Sequence, residues 1–134
     1  MTSSPQLEIW HVAYPVADLD RSIAFYCGRL GFELVGRDQE TAFVSLGKGG
    51  FTIELLVQIP GVGAKPIRAP DHIAFESTDL DGYRERLVGA GLSVPAIHVI
   101  GEGMKRFALD EPDGVRLDFF QGRAGLEAFI SGAG

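Results

Sequence analysis

Four side chains able to bind a divalent cation stand out in the sequence: His11, Glu54, His72 and Asp118. Two neutral imidazoles and two carboxylates mix nitrogen with oxygen donors. Such a set suits one divalent cation of intermediate hardness, Ni²⁺, Co²⁺, Mn²⁺, Fe²⁺ or Zn²⁺. The single cysteine, Cys27, leaves neither a thiolate cage nor an intramolecular disulfide. Taken one at a time, the four have ordinary readings. A histidine in a strand is commonly hydrogen-bonded or exposed, and Asp118 alone is a surface acid beside Arg116. Glu54 is different, because it interrupts the apolar run from Ile53 to Val57. An unpaired carboxylate there costs several kcal/mol, so it calls for a lysine, an arginine or a metal.

The elements that position these residues come from an internal repeat. His11-Val12-Ala13, followed by Asp18-Leu19-Asp20, returns as His72-Ile73-Ala74, followed by Asp79-Leu80-Asp81, at an offset of 61 residues. Leu7–Val16 alternates and is rich in β-branched and aromatic residues, which predicts a strand. Asp18 caps the next element by accepting free amides of its first turn. Leu19, Ile23, Tyr26 and Leu30 then recur at helical spacing, and Gly31 takes the left-handed position that ends the helix. Asp79, then Leu80, Tyr83 and Leu87, then Gly91 repeat the scheme.

Three strands follow each helix, at about 33–37, 41–46 and 51–57 and at about 96–99, 105–109 and 115–120. Gly47-Lys48-Gly49-Gly50 and Glu111-Pro112-Asp113-Gly114 turn the last pair of each set. The pattern is α+β, two βαβββ modules within one domain spanning 1–134. Module 1 covers about 7–58, a Pro- and Gly-rich linker about 59–70, module 2 about 71–121 and a tail about 122–134, with a short helix at 126–130. A module of some fifty residues is too small to bury an adequate core alone, so the two are expected to pair within or between chains.

Strand alternation places the four candidate ligands on equivalent faces. Ile53 and Leu55 point one way and Thr52, Glu54 and Leu56 the other. Leu117 and Phe119 likewise oppose Arg116, Asp118 and Phe120. His11 and Ala13 face away from Val12 and Tyr14, as His72 and Ala74 do from Ile73 and Phe75. The four therefore share matching positions on the side away from the helices.

Composition narrows the classes. The chain has 134 residues, 46% hydrophobic and 22% charged, which is the profile of one folded domain. A net charge of −6 argues against nucleic acid as a partner. No apolar run approaches the roughly 18–20 residues that cross a bilayer, and no signal peptide is visible. The expectation is a cytoplasmic domain with a small-molecule substrate and neither nucleic acid nor membrane as partner.

These residues resemble the vicinal oxygen chelate superfamily, which includes glyoxalase I, methylmalonyl-CoA epimerase, extradiol dioxygenases and the fosfomycin and bleomycin resistance proteins. The resemblance spans about 7–121 and is carried by His11 to Phe32, with its Asp18-Leu19-Asp20-Arg21-Ser22 run, and by Glu111-Pro112-Asp113-Gly114-Val115-Arg116-Leu117-Asp118. It implies a cupped mixed sheet around one divalent metal and frequent homodimers whose sites draw ligands from two chains. It also implies ligation by His11, Glu54, His72 and Asp118, as in the glyoxalase I and epimerase branches. That set favours a lyase or isomerase that moves a proton beside a carbonyl through a metal-stabilised enediolate, with Glu54 or Asp118 as base. Two positions depart from the pattern. Asp118 stands where glutamate is usual, and Pro15 where glutathione-dependent members carry an arginine. A glutathione adduct is therefore not the expected substrate.

The alternatives are a metal-free drug- or metabolite-binding protein, its pocket lined by Trp10, Phe43, Phe107 and Phe120, and a small Fe²⁺ extradiol-type dioxygenase. Secondary candidates are Gln58 as a polar contact, Glu76 as a second acid, Lys105 or Arg106 as an inward cation, and Phe120 and Leu56 as apolar walls. Trp10 either stacks over a ligand or covers the sheet. His98 matches no ligand position, and Cys27 reads as a small buried hydrophobe.

Overall fold

The computed structural model describes residues 6–7, 9–47, 50–57, 68–101 and 103–124. Gln58, most of the expected linker and the expected helix at 126–130 lie outside these residues. The described residues separate into two compact units.

The first unit opens with β1 (His11–Val16), followed by α1 (Leu19–Ile23) and then β2 (Glu33–Arg37), β3 (Thr41–Ser45) and β4 (Thr52–Val57). The sheet order is β1-β4-β3-β2, with β1 parallel to β4 and the other pairings antiparallel. The expected first strand began at Leu7, but β1 begins at His11. As an edge strand it pairs only with β4, and that partner starts at Thr52, opposite His11. The Asp18 carboxylate accepts the Arg21 amide at 3.0 Å, as its capping role requires. Beyond α1, Ala24–Arg29 widens into a π-helix that delivers Phe25 and Tyr26 to the core. Gly31 follows with φ +88°, a conformation that suits glycine. Ile53, Leu55, Tyr14, Val44 and Tyr26 are fully buried, and the Tyr14 and Tyr26 hydroxyls hydrogen-bond to each other.

The second unit repeats the plan with β5 (His72–Glu76), α2 (Leu80–Gly89), β6 (His98–Gly101), β7 (Met104–Asp110) and β8 (Arg116–Gln121). Its sheet order is β5-β8-β7-β6, with β5 parallel to β8. The Asp79 carboxylate accepts the Gly82 amide at 3.0 Å, and Gly91 adopts φ +88° after the helix. β6 starts at His98 rather than Ala96, because its pairing with β7 begins at His98 opposite Arg106. The core is aromatic. Phe119 stacks on Phe75 and Phe107 at centroid distances of 5.5 and 5.1 Å, with Tyr83 at 5.4 Å. No described helix is long and apolar enough to cross a membrane.

In each sheet one face carries the core and the other stays open. Ile53 and Leu55, or Leu117 and Phe119, close the first, while Glu54, Asp118, His11 and His72 stand on the second.

Candidate functional site

The two sheets place their acids at equivalent points. Glu54 lies opposite Ala13, two residues beyond His11, and Asp118 lies opposite Ala74, two residues beyond His72. Each histidine is thus set beside the carboxylate of its parallel neighbour strand. Their surroundings differ.

In the first unit His11 Nε2 lies 3.3 Å from Glu54 Oε1. The other oxygen of Glu54 accepts the Thr41 hydroxyl at 2.9 Å, so Thr41 on β3 fixes the plane of the carboxylate. The His11 ring stands edge-on to Trp10 and Phe43, at 4.2 and 5.2 Å, and those two rings lie nearly parallel, 6.1 Å apart. His11 Nδ1 is buried with no hydrogen-bond partner among the described residues. The imidazole is therefore held by packing and by Glu54, which is itself about a quarter exposed.

In the second unit the His72 Nδ1 hydrogen-bonds Asp71 Oδ2 at 2.9 Å. This bond, with the charge of His72 adding to it, holds the Asp71 carboxyl below the usual carboxylate range. In the neutral ring, with Nδ1 as donor, Nε2 keeps its lone pair, the arrangement a metal-binding histidine uses. Asp118 is occupied otherwise. Its Oδ1 accepts Arg106 Nη2 at 3.0 Å and its Oδ2 accepts Arg116 Nη2 at 2.9 Å, with the carboxylate almost completely buried. His72 Nε2 stands 3.9 Å from Oδ2.

Geometry gives a test of metal fit. Two donors 3.3 Å apart, each about 2.1 Å from a cation, subtend about 104° there, close to tetrahedral. His11 and Glu54 meet that condition as they stand. At 3.9 Å the His72–Asp118 pair would subtend about 136°, and the Asp118 oxygen involved already serves Arg116. His72 suits a cation and Asp118, in this arrangement, does not. Among the described residues no group of three or more His, Cys, Asp or Glu is assembled for a metal. The expected four thus stand as two pairs, one in each unit.

The secondary candidates also find places. Arg106 is on the open face, held by Asp118 and 5.7 Å over the Phe120 ring, whereas Lys105 pairs with Asp81 of α2. Glu76 is on the open face and is paired with Arg123. Phe107, expected in a ligand pocket, is buried under the sheet, because it lies opposite Phe119 and shares its face. His98 is exposed. Burial raises the Cys27 thiol pKa, which disfavours the reactive thiolate. Thr41 and Asp71 escape sequence reading. The Asp71-His72 dipeptide is a usable signal for the second, but Thr41 depends on the register of β3 against β4.

The model of the Glyoxalase/Bleomycin resistance protein/Dioxygenase superfamily matches residues 8–119, and the chain belongs to that superfamily. Solved structures agree on the fold. A lactoylglutathione lyase from Agrobacterium tumefaciens superimposes with a TM-score of 0.70 at 20% identity, over 90% of this chain and 98% of that one. A bleomycin-binding protein in complex with bleomycin gives 0.66 at 24%, over 87% and 99%. TnmS3, an antibiotic binding protein from Streptomyces sp. CB03234, gives 0.68 at 19%, over 88% and 98%. No curated protein matches the sequence.

Proposed function

We propose that this chain is an enzyme of lyase or isomerase type that moves a proton at a carbon beside a carbonyl, with Glu54 as the proton carrier. The observation that carries this reading is the His11–Glu54–Thr41 arrangement. A carboxylate on an open sheet face is held in a fixed plane by Thr41 and stands beside an imidazole packed edge-on against two aromatic rings. Glu54 is exposed enough to meet a substrate and sits on a strand, where its position is precise. It takes the proton at a carboxylate oxygen and returns it to the neighbouring carbon. His11 orients that oxygen. His11 and Glu54 would hold a divalent cation, which when bound would supply Lewis-acid stabilisation of charge on the carbonyl oxygen. In the second unit, Asp118 keeps Arg106 and Arg116 in place. The lyase from Agrobacterium tumefaciens supports the class of reaction.

The test is exchange of substrate protons with deuterated solvent across a panel of α-hydroxycarbonyls and epimerisable thioesters. Glu54→Gln is expected to lower the exchange rate of any substrate found by 10²-fold or more, the scale of general acid–base catalysis. Undiminished exchange in that variant removes Glu54 from the role.

A second reading, a metal-free small-molecule binding protein, is favoured by one observation: both oxygens of Asp118 are engaged by arginines. The bleomycin- and antibiotic-binding neighbours support it. Saturable ligand binding that survives a chelator, with no solvent exchange, selects this reading.

A further inference from the structure

The open face of the second sheet holds a cavity of about 200 Å³ lined by Ala74, Phe75, Glu76, Met104, Phe120 and Arg123. Its walls are mostly apolar. For scale, an apolar cavity of about 150 Å³ accepts benzene, so an aryl-sized group fits this one.

Two acid–guanidinium pairs are ordered in depth here: Glu76–Arg123 in the cavity lining, and Asp118–Arg106, which adjoins the lining only through the Phe120 ring. Arg123 Nε reaches Glu76 Oε1 at 2.9 Å, and the Arg123 amide donates to Oε2 at 3.0 Å, so both oxygens of Glu76 are engaged. The Glu76 side chain is 33% exposed against 66% for Arg123. Arg106 lies across from Phe120 in the β7–β8 pairing and over its ring. Its acid partner Asp118 is 3% exposed against 31% for Arg106. In both pairs the acid lies beneath and the guanidinium faces outward. An incoming carboxylate meets N–H donors first, and an incoming ammonium meets cations.

Arg116 does not share this setting. Asp110 stands opposite it in the sheet, and its charge also acts on Asp71. Arg116 thus has Asp110 and Asp71 near it besides its partner Asp118, whereas Asp118 alone pairs with Arg106 among the described acids.

We propose that this cavity is a subsite for the apolar, aryl-sized part of a small carboxylate, with Arg106 as the carboxylate receptor. The inference deepens the small-molecule reading above and rests on it only in supposing that the open face receives a ligand.

The test uses the full chain in chelator, titrated calorimetrically with phenylacetate and with its neutral isostere phenylacetamide. Phenylacetate is expected to bind saturably and at least about tenfold tighter than the amide, the scale of one charge-assisted hydrogen bond. Arg106→Gln removes that preference while amide binding persists; Arg116 still holds Asp118, so the fold is retained. Arg116→Gln, the matched control, leaves the preference in place. Ala74→Leu, which fills the cavity, weakens both ligands by about tenfold or more. Absence of saturable binding, equal affinity for the two ligands, or an Arg106→Gln protein that still prefers the carboxylate overturns the proposal. Saturable phenylacetate binding without solvent proton exchange of any substrate discards the proton-transfer reading alone, and exchange without such binding discards the subsite alone, so the two failures are told apart.

Discussion

Replacing Asp118 by asparagine separates an anchor for arginines from a residue that matters only when a metal is bound. The side chain is 3% exposed and accepts two guanidinium hydrogen bonds. Hydrogen bonds to charged groups contribute about 1.5–3 kcal/mol each, giving an upper figure of about 3–6 kcal/mol for the two. Arg106 and Arg116 are 31% and 46% exposed, so both regain water when the acid is neutralised. That roughly halves the loss, to about 1.5–3 kcal/mol. The reverse change, Arg106→Gln with Arg116→Gln, leaves a buried carboxylate without a charged partner and costs more, about 3–5 kcal/mol. Urea unfolding of all three proteins in the presence of chelator measures both numbers with metal removed from the comparison. An Asp118→Asn protein within about 0.5 kcal/mol of the parent, or a double arginine variant no weaker than Asp118→Asn, refutes the anchoring argument.

Two further outcomes are expected. The Tyr83 phenol, desolvated and donating to the Leu30 carbonyl at 2.9 Å, has its pKa pushed up to about 12. A raised folded-state pKa gives stability that is complete below the unfolded value near 10 and is lost as pH rises through about 12; phenolate absorbance and unfolding curves over that window check it, with Tyr83→Phe flattening both. Phe119→Ala, which opens the stack formed with Phe75, Phe107 and Tyr83, costs about 3–5 kcal/mol by chemical denaturation, whereas Phe120→Ala on the open face costs clearly less.

Period-two alternation makes the faces of β4 and β8 legible from sequence alone, since Ile53 with Leu55 and Leu117 with Phe119 mark the buried side without ambiguity. The Asp18 and Asp79 caps and the glycines ending both helices are legible for the same local reason: each acts within one turn of its own chain. The contents of the open face are less so. Which of Lys105 and Arg106 faces Asp118 follows from the β7–β8 register, in which Ala108 opposes Asp118 and Arg106 is its diagonal neighbour. Thr41 reaches Glu54 through a comparable cross-strand relation. Phe107 shows the converse error, because aromatic character alone does not say which face a residue serves. Register is a pairing property of two distant segments, and no single segment states it.

The π-helical stretch after α1 has a numerical cause. Cap and glycine are separated by 13 residues in the first copy, from Asp18 to Gly31, and by 12 in the second, from Asp79 to Gly91. Between equivalent fixed points the first copy must store one additional residue, and a π-turn stores it by widening rather than lengthening the helix. The surplus is absorbed at Ala24–Arg29, so the parallel pairings on either side keep matched alignments, with Glu54 facing Ala13 and Asp118 facing Ala74. A duplicated architecture can in this way tolerate a single-residue insertion in one half without misaligning its open face, and the widened turn is the lasting mark of that accommodation.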